Sequence, residues 1–219
     1  MGNFGTVAAI MVGVIVLGVL LGYTPSTFTT LNATTINVVN LNVTTLLGNN
    51  WEDLRFPVSA IRLGGASPAT AQAYRGGEVL AFANNVNQYV YLTAQLPHSW
   101  VEGSNITAHI HWTIPAGGLG GGAENVKWDL TYSWANMNAS FPVQSSATLT
   151  RNVASVAANT HLYDAWVELN GAGKTMSSMI IISIKRDTTV ANNYGSAALL
   201  LEFDIHYRQD SIGSVNQSP

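Results

Sequence analysis

Residues 4–23, FGTVAAIMVGVIVLGVLLGY, are apolar almost without interruption. As a helix rising roughly 1.5 Å per residue they would span about 30 Å, the thickness of a bilayer's hydrocarbon core. The pattern predicts an N-terminal apolar helix over 1–24, ended by Pro25, whose ring cannot continue a helix. Gly18 and Gly22 have the small-xxx-small spacing that lets two helices approach closely. The segment reads as a membrane anchor meeting lipid through residues 4–23, or else as a plug buried in a protein assembly. A cleaved signal peptide is the third reading, and the missing basic n-region and A-x-A site speak against it.

A different period follows over 25–50. Leu31, Ile36, Leu41 and Leu46 recur at every fifth position, and Asn follows directly at 32, 37 and 42. Five is neither the 3.5 of a coiled coil nor the 2 of a flat strand. β-branched and Asn-rich composition disfavours helix. One such segment has nothing to bury its aliphatic row against. Three copies wound about an axis would place Leu31, Ile36, Leu41 and Leu46 inside and pair their backbones between chains. The segment resembles the intertwined β stalks of bacteriophage tail fibres and spikes; an extended linker is the alternative.

From Trp51 onward, short apolar-alternating runs are separated by Gly, Asn and Pro. Strands are predicted at 79–83, 89–95, 105–114, 126–134, 147–151, 165–169, 176–185 and 198–207, with 153–159 ambiguous. The last run alternates plainly: Leu199, Leu201, Phe203, Ile205 and Tyr207 on one face, Glu202, Asp204, His206 and Arg208 on the other. No run carries a sustained helical stripe. The expected fold class is all-β, an antiparallel jelly-roll-like sandwich head over 51–219, preceded by the apolar helix and the pentad-repeat stalk. The Gly-rich stretch 116–123 is expected to be a mobile loop between two strands.

Charge sharpens this division. All the charged residues, 9 Lys+Arg and 12 Asp+Glu, lie at or beyond Glu52, and the formal net charge is −3. Nine basic residues cannot build a broad phosphate-binding face, so nucleic acid is not an expected partner. With no cysteine, disulfides and thiolate chemistry are excluded.

Candidate chemistry is sparse. The run Asn170-Gly-Ala-Gly-Lys-Thr175 mimics the end of a P-loop, but Glu168 stands where the first glycine belongs and a strand follows instead of a helix. His109 and His111 alternate, so both emerge on one strand face. With Gly103 they match the opening of the cupin metal motif, yet Pro115 and Ala116 occupy the positions of its glutamate. The pair is kept as candidate metal ligands, against the alternative of hydrogen-bonded structural histidines. Glu202, Asp204 and His206 read as a strand face that is solvated or in contact with another subunit. Of six tryptophans, most are expected in the core or at a trimer interface. No cofactor is expected, and the absence of G-x-S-x-G, H-E-x-x-H and any credible Ser/His/Asp set argues against an enzyme.

Three words, WEDLRFP at 51–57, AQLPHSW at 94–100 and GSNITAHIHW at 103–112, resemble a domain of bacteriophage and viral virion structural proteins that often follows a fibre-like stalk. The resemblance covers about 51–210. It implies a trimeric β-sandwich head on a spike, fibre or minor capsid protein, partnered by itself as a homotrimer, by other capsid or virion proteins and by a host surface receptor. The implied location is the virion, membrane-anchored or capsid-associated, and otherwise the cell surface. The alternatives are a cellular surface filament or sheath subunit, and a cupin-like metal-binding enzyme using His109 and His111.

Overall fold

The computed structural model describes residues 50–120, 122–210 and 213. The apolar segment with Gly18 and Gly22, and the stalk positions Leu31, Ile36, Leu41 and Leu46, lie outside the described residues. Among the described residues no helix is long and apolar enough to cross a membrane.

The described chain is an antiparallel sandwich of two sheets. The first has the order β3 (Thr70–Tyr74), β4 (Gly77–Phe82), β11 (Ala198–Gln209), β6 (Thr107–Thr113), β9 (Leu162–Ala165), with β1 (Asn50–Pro57) also pairing β11. The second has the order β2 (Arg62–Leu63), β5 (Gln88–Gln95), β10 (Met179–Arg186), β7 (Asn125–Ala135), β8 (Ser145–Asn152). Strands form where β-branched and aromatic residues alternate with polar ones, because one face of each must be buried. In β10, Ile180, Ile182 and Ile184 are buried while Met179 and Ile181 are exposed.

The core lies between the sheets. Trp112 and Trp128 meet edge to face at 5.7 Å and Phe82 packs on Trp128 at 5.0 Å, the preferred aromatic geometry. Full burial of each such ring stabilises the fold by on the order of 2–3 kcal/mol. Of the six tryptophans, Trp51 is exposed and the other five are buried.

Several sequence expectations shift. Strands β1 to β3 carry weak alternation and were not expected. The strand predicted at 165–169 forms three residues earlier, at Leu162–Ala165, leaving only a bridge from Leu169 to Ile106. The Gly-rich stretch is pinned in its first half. Gly118 N donates to Val156 O at 2.8 Å, Tyr194 Oη donates to Gly117 O at 2.9 Å, and a Cβ on Gly118 would stand 2.2 Å from Ala154 O.

The largest correction concerns β11. Pairing with β6 shifts register between Leu200 and Glu202, a β-bulge that inserts one extra residue. Strict alternation therefore fails there. Leu200, Phe203, Ile205 and Tyr207 enter the main core, whereas Leu199 and Leu201 pack with Val79 and Ala81 in a separate cluster.

Arg186 ties the two sheets together, and Asp187 ties β10 to β7 within the second. Arg186, fully buried, donates to the carbonyls of Phe82, Tyr194 and Ser196 at 2.8–2.9 Å, tying β10 to the end of β4 and to the approach of β11. Burial lowers its pKa to about 10, so it stays charged at neutral pH. Beside it, burial pushes the Asp187 carboxyl up, but hydrogen bonds from Lys127 and Thr189 and the charge of Lys185 outweigh that and hold it well below the usual carboxylate range.

Replacing Arg186 by Leu leaves two buried carbonyls and one part-buried carbonyl without this donor and is expected to cost about 2–4 kcal/mol in urea unfolding. Because the folded-state pKa of Asp187 is depressed, its stabilisation is present above the unfolded value near 4 and is lost as pH falls below that value. Asp187→Asn should therefore be less stable than wild type at pH 7, by about 1–3 kcal/mol. The gap should narrow as melts are taken at successively lower pH from about 4 downward.

Candidate functional site

The outer face of the first sheet carries an unusual set of side chains. Antiparallel register places His109 opposite Asp204, His111 opposite Glu202, and Asp53 opposite His206. From β9, Tyr163 lies opposite His111. The inward neighbours on these strands, among them Ile110, Trp112, Phe203 and Ile205, are core residues, and their burial is what forces the polar partners outward together. Trp112 Nε1 donates to Asp164 Oδ2 at 2.7 Å, which fixes β6 against β9.

His109, His111, His161 and His206 converge here, four of the chain's five histidines. Asp204 is their hub. Its Oδ1 lies 3.4 Å from His109 Nδ1, and its Oδ2 lies 3.3 Å from His111 Nε2 and 3.7 Å from His206 Nε2. The His109 and His206 rings meet edge to face with centroids 3.7 Å apart. Each imidazole has an outer partner. Tyr163 Oη is 2.9 Å from His109 Nε2, His161 Nε2 is 2.8 Å from His111 Nδ1, and Asp53 Oδ1 is 2.7 Å from His206 Nε2. Arg55 closes one rim through paired 2.6 Å hydrogen bonds to the Glu202 carboxylate. The depression so formed has a volume of about 490 Å³.

His109 and Asp204 are only 3% and 4% exposed, which corrects the reading of Asp204 as part of a solvated face. Burial pushes the Asp204 carboxyl up, yet its contact with His109 and the charges of His111, His109 and His206 outweigh that and leave it lowered. His206 is lowered by burial and by the neighbouring charge of His109.

The residues able to hold a metal are His109, Asp204 and His206, whose ligand atoms all lie within 4.8 Å of one another. Of the two histidines singled out by alternation, His109 belongs to this triad. His111 stands at its side, paired with His161. Sequence reasoning missed Asp53, His161 and Tyr163. Their only local signal was the polar alternation of His161-x-Tyr163 and Asp53-x-Arg55, which does not reveal the neighbouring strand. His98 lies elsewhere, 3.0 Å from Ser177 Oγ. The P-loop-like run is a turn. Lys174 N donates to Gly171 O at 2.9 Å, and Lys174 Nζ donates to Trp134 O at 2.7 Å.

No protein-family model matches the chain, and no curated protein matches it. Among solved structures, it is similar to the C-terminal family 22 carbohydrate-binding module of Clostridium thermocellum Xyn10B, at 11% identity and TM-score 0.39, over 73% of this chain and 90% of that one. It is similar also to the N-terminal CBM22-1–GH10 modules of the same enzyme (10% identity, TM-score 0.38), covering 72% of this chain and 28% of that one. A third likeness is to the insecticidal delta-endotoxin Cry8Ea1 of Bacillus thuringiensis, at 12% identity and TM-score 0.36, over 70% of this chain and 23% of that one.

Tyr163 covers His109, so the four clustered histidines should differ in reactivity. Diethyl pyrocarbonate, mapped by mass spectrometry, is expected to modify exposed His161 first and His109 last. Tyr163→Ala should raise the His109 rate at least about tenfold, while an unchanged rate would mean that other groups bury the ring.

Proposed function

We propose that the chain is a virion structural protein, a spike, fibre or minor capsid protein. Residues 4–23 anchor each copy in a membrane or within protein. The pentads join three chains through Leu31, Ile36, Leu41 and Leu46, and the jelly-roll-like sandwich is the head. The role is mechanical and adhesive, with no catalytic step assigned.

The observation that carries this reading is how the chain enters the sandwich. The last pentad, Leu46-Leu-Gly-Asn-Asn50, ends in sequence on the first residue of β1. Asn50 pairs with Gln209, which puts the entry and the last described strand residue at one end of the sandwich. Connections at the far end are held to one another. Asn193 Nδ2 donates to Asn84 O at 2.7 Å, and Gly118 donates to Val156. A sandwich whose first strand begins where the repeat ends in sequence, with four loops held to one another at the opposite end, supports a display role toward capsid proteins or a host surface. Trp51, 54% exposed at the point of entry, is the kind of aromatic that anchors contacts between subunits.

Light scattering of residues 25–219 is expected to give three times the monomer mass, and of residues 51–219 the monomer mass. Monomers from both would remove the stalk and with it the spike. Open-ended polymers would favour the filament or sheath subunit, since a heterologous contact that does not close forms fibres.

A further inference from the structure

We infer that His109, Asp204 and His206 form a binding site for a divalent transition-metal ion of the zinc, cobalt and nickel group. Donor chemistry selects this group. Two imidazoles and one carboxylate suit borderline transition ions, while calcium and magnesium need sites built almost wholly of oxygen. Spacing agrees. Ligand atoms about 2.1 Å from an ion stand roughly 3.0–3.5 Å from each other. Asp204 Oδ1 is 3.4 Å from His109 Nδ1, and Asp204 Oδ2 is 3.7 Å from His206 Nε2. One ligand atom from each residue lies within 4.8 Å of the others, so the side chains close in on the ion as it binds.

A second observation points to a missing partner. Asp204 is 4% exposed, yet its buried Oδ1 has no well-aligned hydrogen bond, only the ion-pair contact to His109 Nδ1 at 3.4 Å. Buried carboxylate oxygens are almost always satisfied, and this one is aimed at His109. A cation between them supplies what the protein's donors do not. The surroundings also have the form of a second shell. Tyr163 Oη holds His109 from outside, and all three ligands stand on strands whose register fixes them. Asp53, with a side chain 46% exposed and 2.7 Å from His206 Nε2, turns to become the fourth ligand when the ion takes that nitrogen. The ion would then clamp β6, β11 and β1 at mid-sheet, next to the point where the chain enters the sandwich.

The test uses the full chain in detergent, stripped with EDTA, dialysed, and titrated with cobalt(II) chloride and then zinc chloride. Expected are one cobalt ion per chain with visible d–d absorption, displacement by zinc, and a metal-dependent rise in Tm. Asp204→Asn and His206→Gln should each weaken binding by more than about 100-fold, whereas His98→Gln should leave it unchanged. Sub-stoichiometric binding, or wild-type affinity in both Asp204→Asn and His206→Gln, would overturn the site and assign any bound ion to exposed groups. Should those variants fail to fold, imidazole NMR of the wild type decides. Zinc must shift the His109 and His206 ring signals together and spare His98, and a shift confined to His161 refutes the proposal.

Discussion

The bulge between Leu200 and Glu202 sets the parity of the longest strand in the molecule. β11 is hydrogen-bonded to β6 along one edge and to β4 and β1 along the other, so its facing decides the facing of the whole first sheet. Without the extra residue, Leu200 and Phe203 would point to opposite faces, because side chains alternate with a period of two. With it, Leu200, Phe203, Ile205 and Tyr207 all reach the core. Glu202, Asp204 and His206 are then committed to the opposite face as a group. The hydrophobic gain is made on one side of the sheet, and its geometric consequence is the polar cluster on the other.

That cluster is costly unless it is interconnected. A carboxylate removed from water loses hydration that only charged or hydrogen-bonding neighbours restore. Asp204 has three imidazoles within 3.7 Å, and the net of their contacts holds it ionised despite burial. Each imidazole leans in turn on an outer group: Tyr163, His161 or Asp53. The sandwich thus contains one face where packing is governed by charge and proton sharing, joined by its strands to an apolar core that fixes the positions of those groups. Such support from rigid strands is what a ligand site requires.

β1 begins where the pentads end, and it carries Asp53 and Arg55 onto the cluster's rim. At the far end, Arg186 binds carbonyls from both the β4 terminus and the segment leading into β11. The loops there are therefore held by a buried cation as well as by their own contacts.

The sequence by itself determined the all-β class and most of the strands, since runs of β-branched and aromatic residues between Gly, Asn and Pro turns are written locally; which isoleucines of β10 face the core, Ile180 and Ile182 rather than Ile181, is not. It also placed His109 and His111 on one strand face, and Asp204 and His206 on another. It could not say that these two faces are one. His109 and Asp204 are far apart in the chain and become neighbours only through the antiparallel register of β6 and β11. Register follows from the sum of many core contacts, which no local pattern states. The weak alternation of β1 hid Asp53, and a bulge leaves no mark in periodicity except its failure. Tertiary pairing alone turned four scattered histidines and one apparently solvated aspartate into one cluster around the buried Asp204.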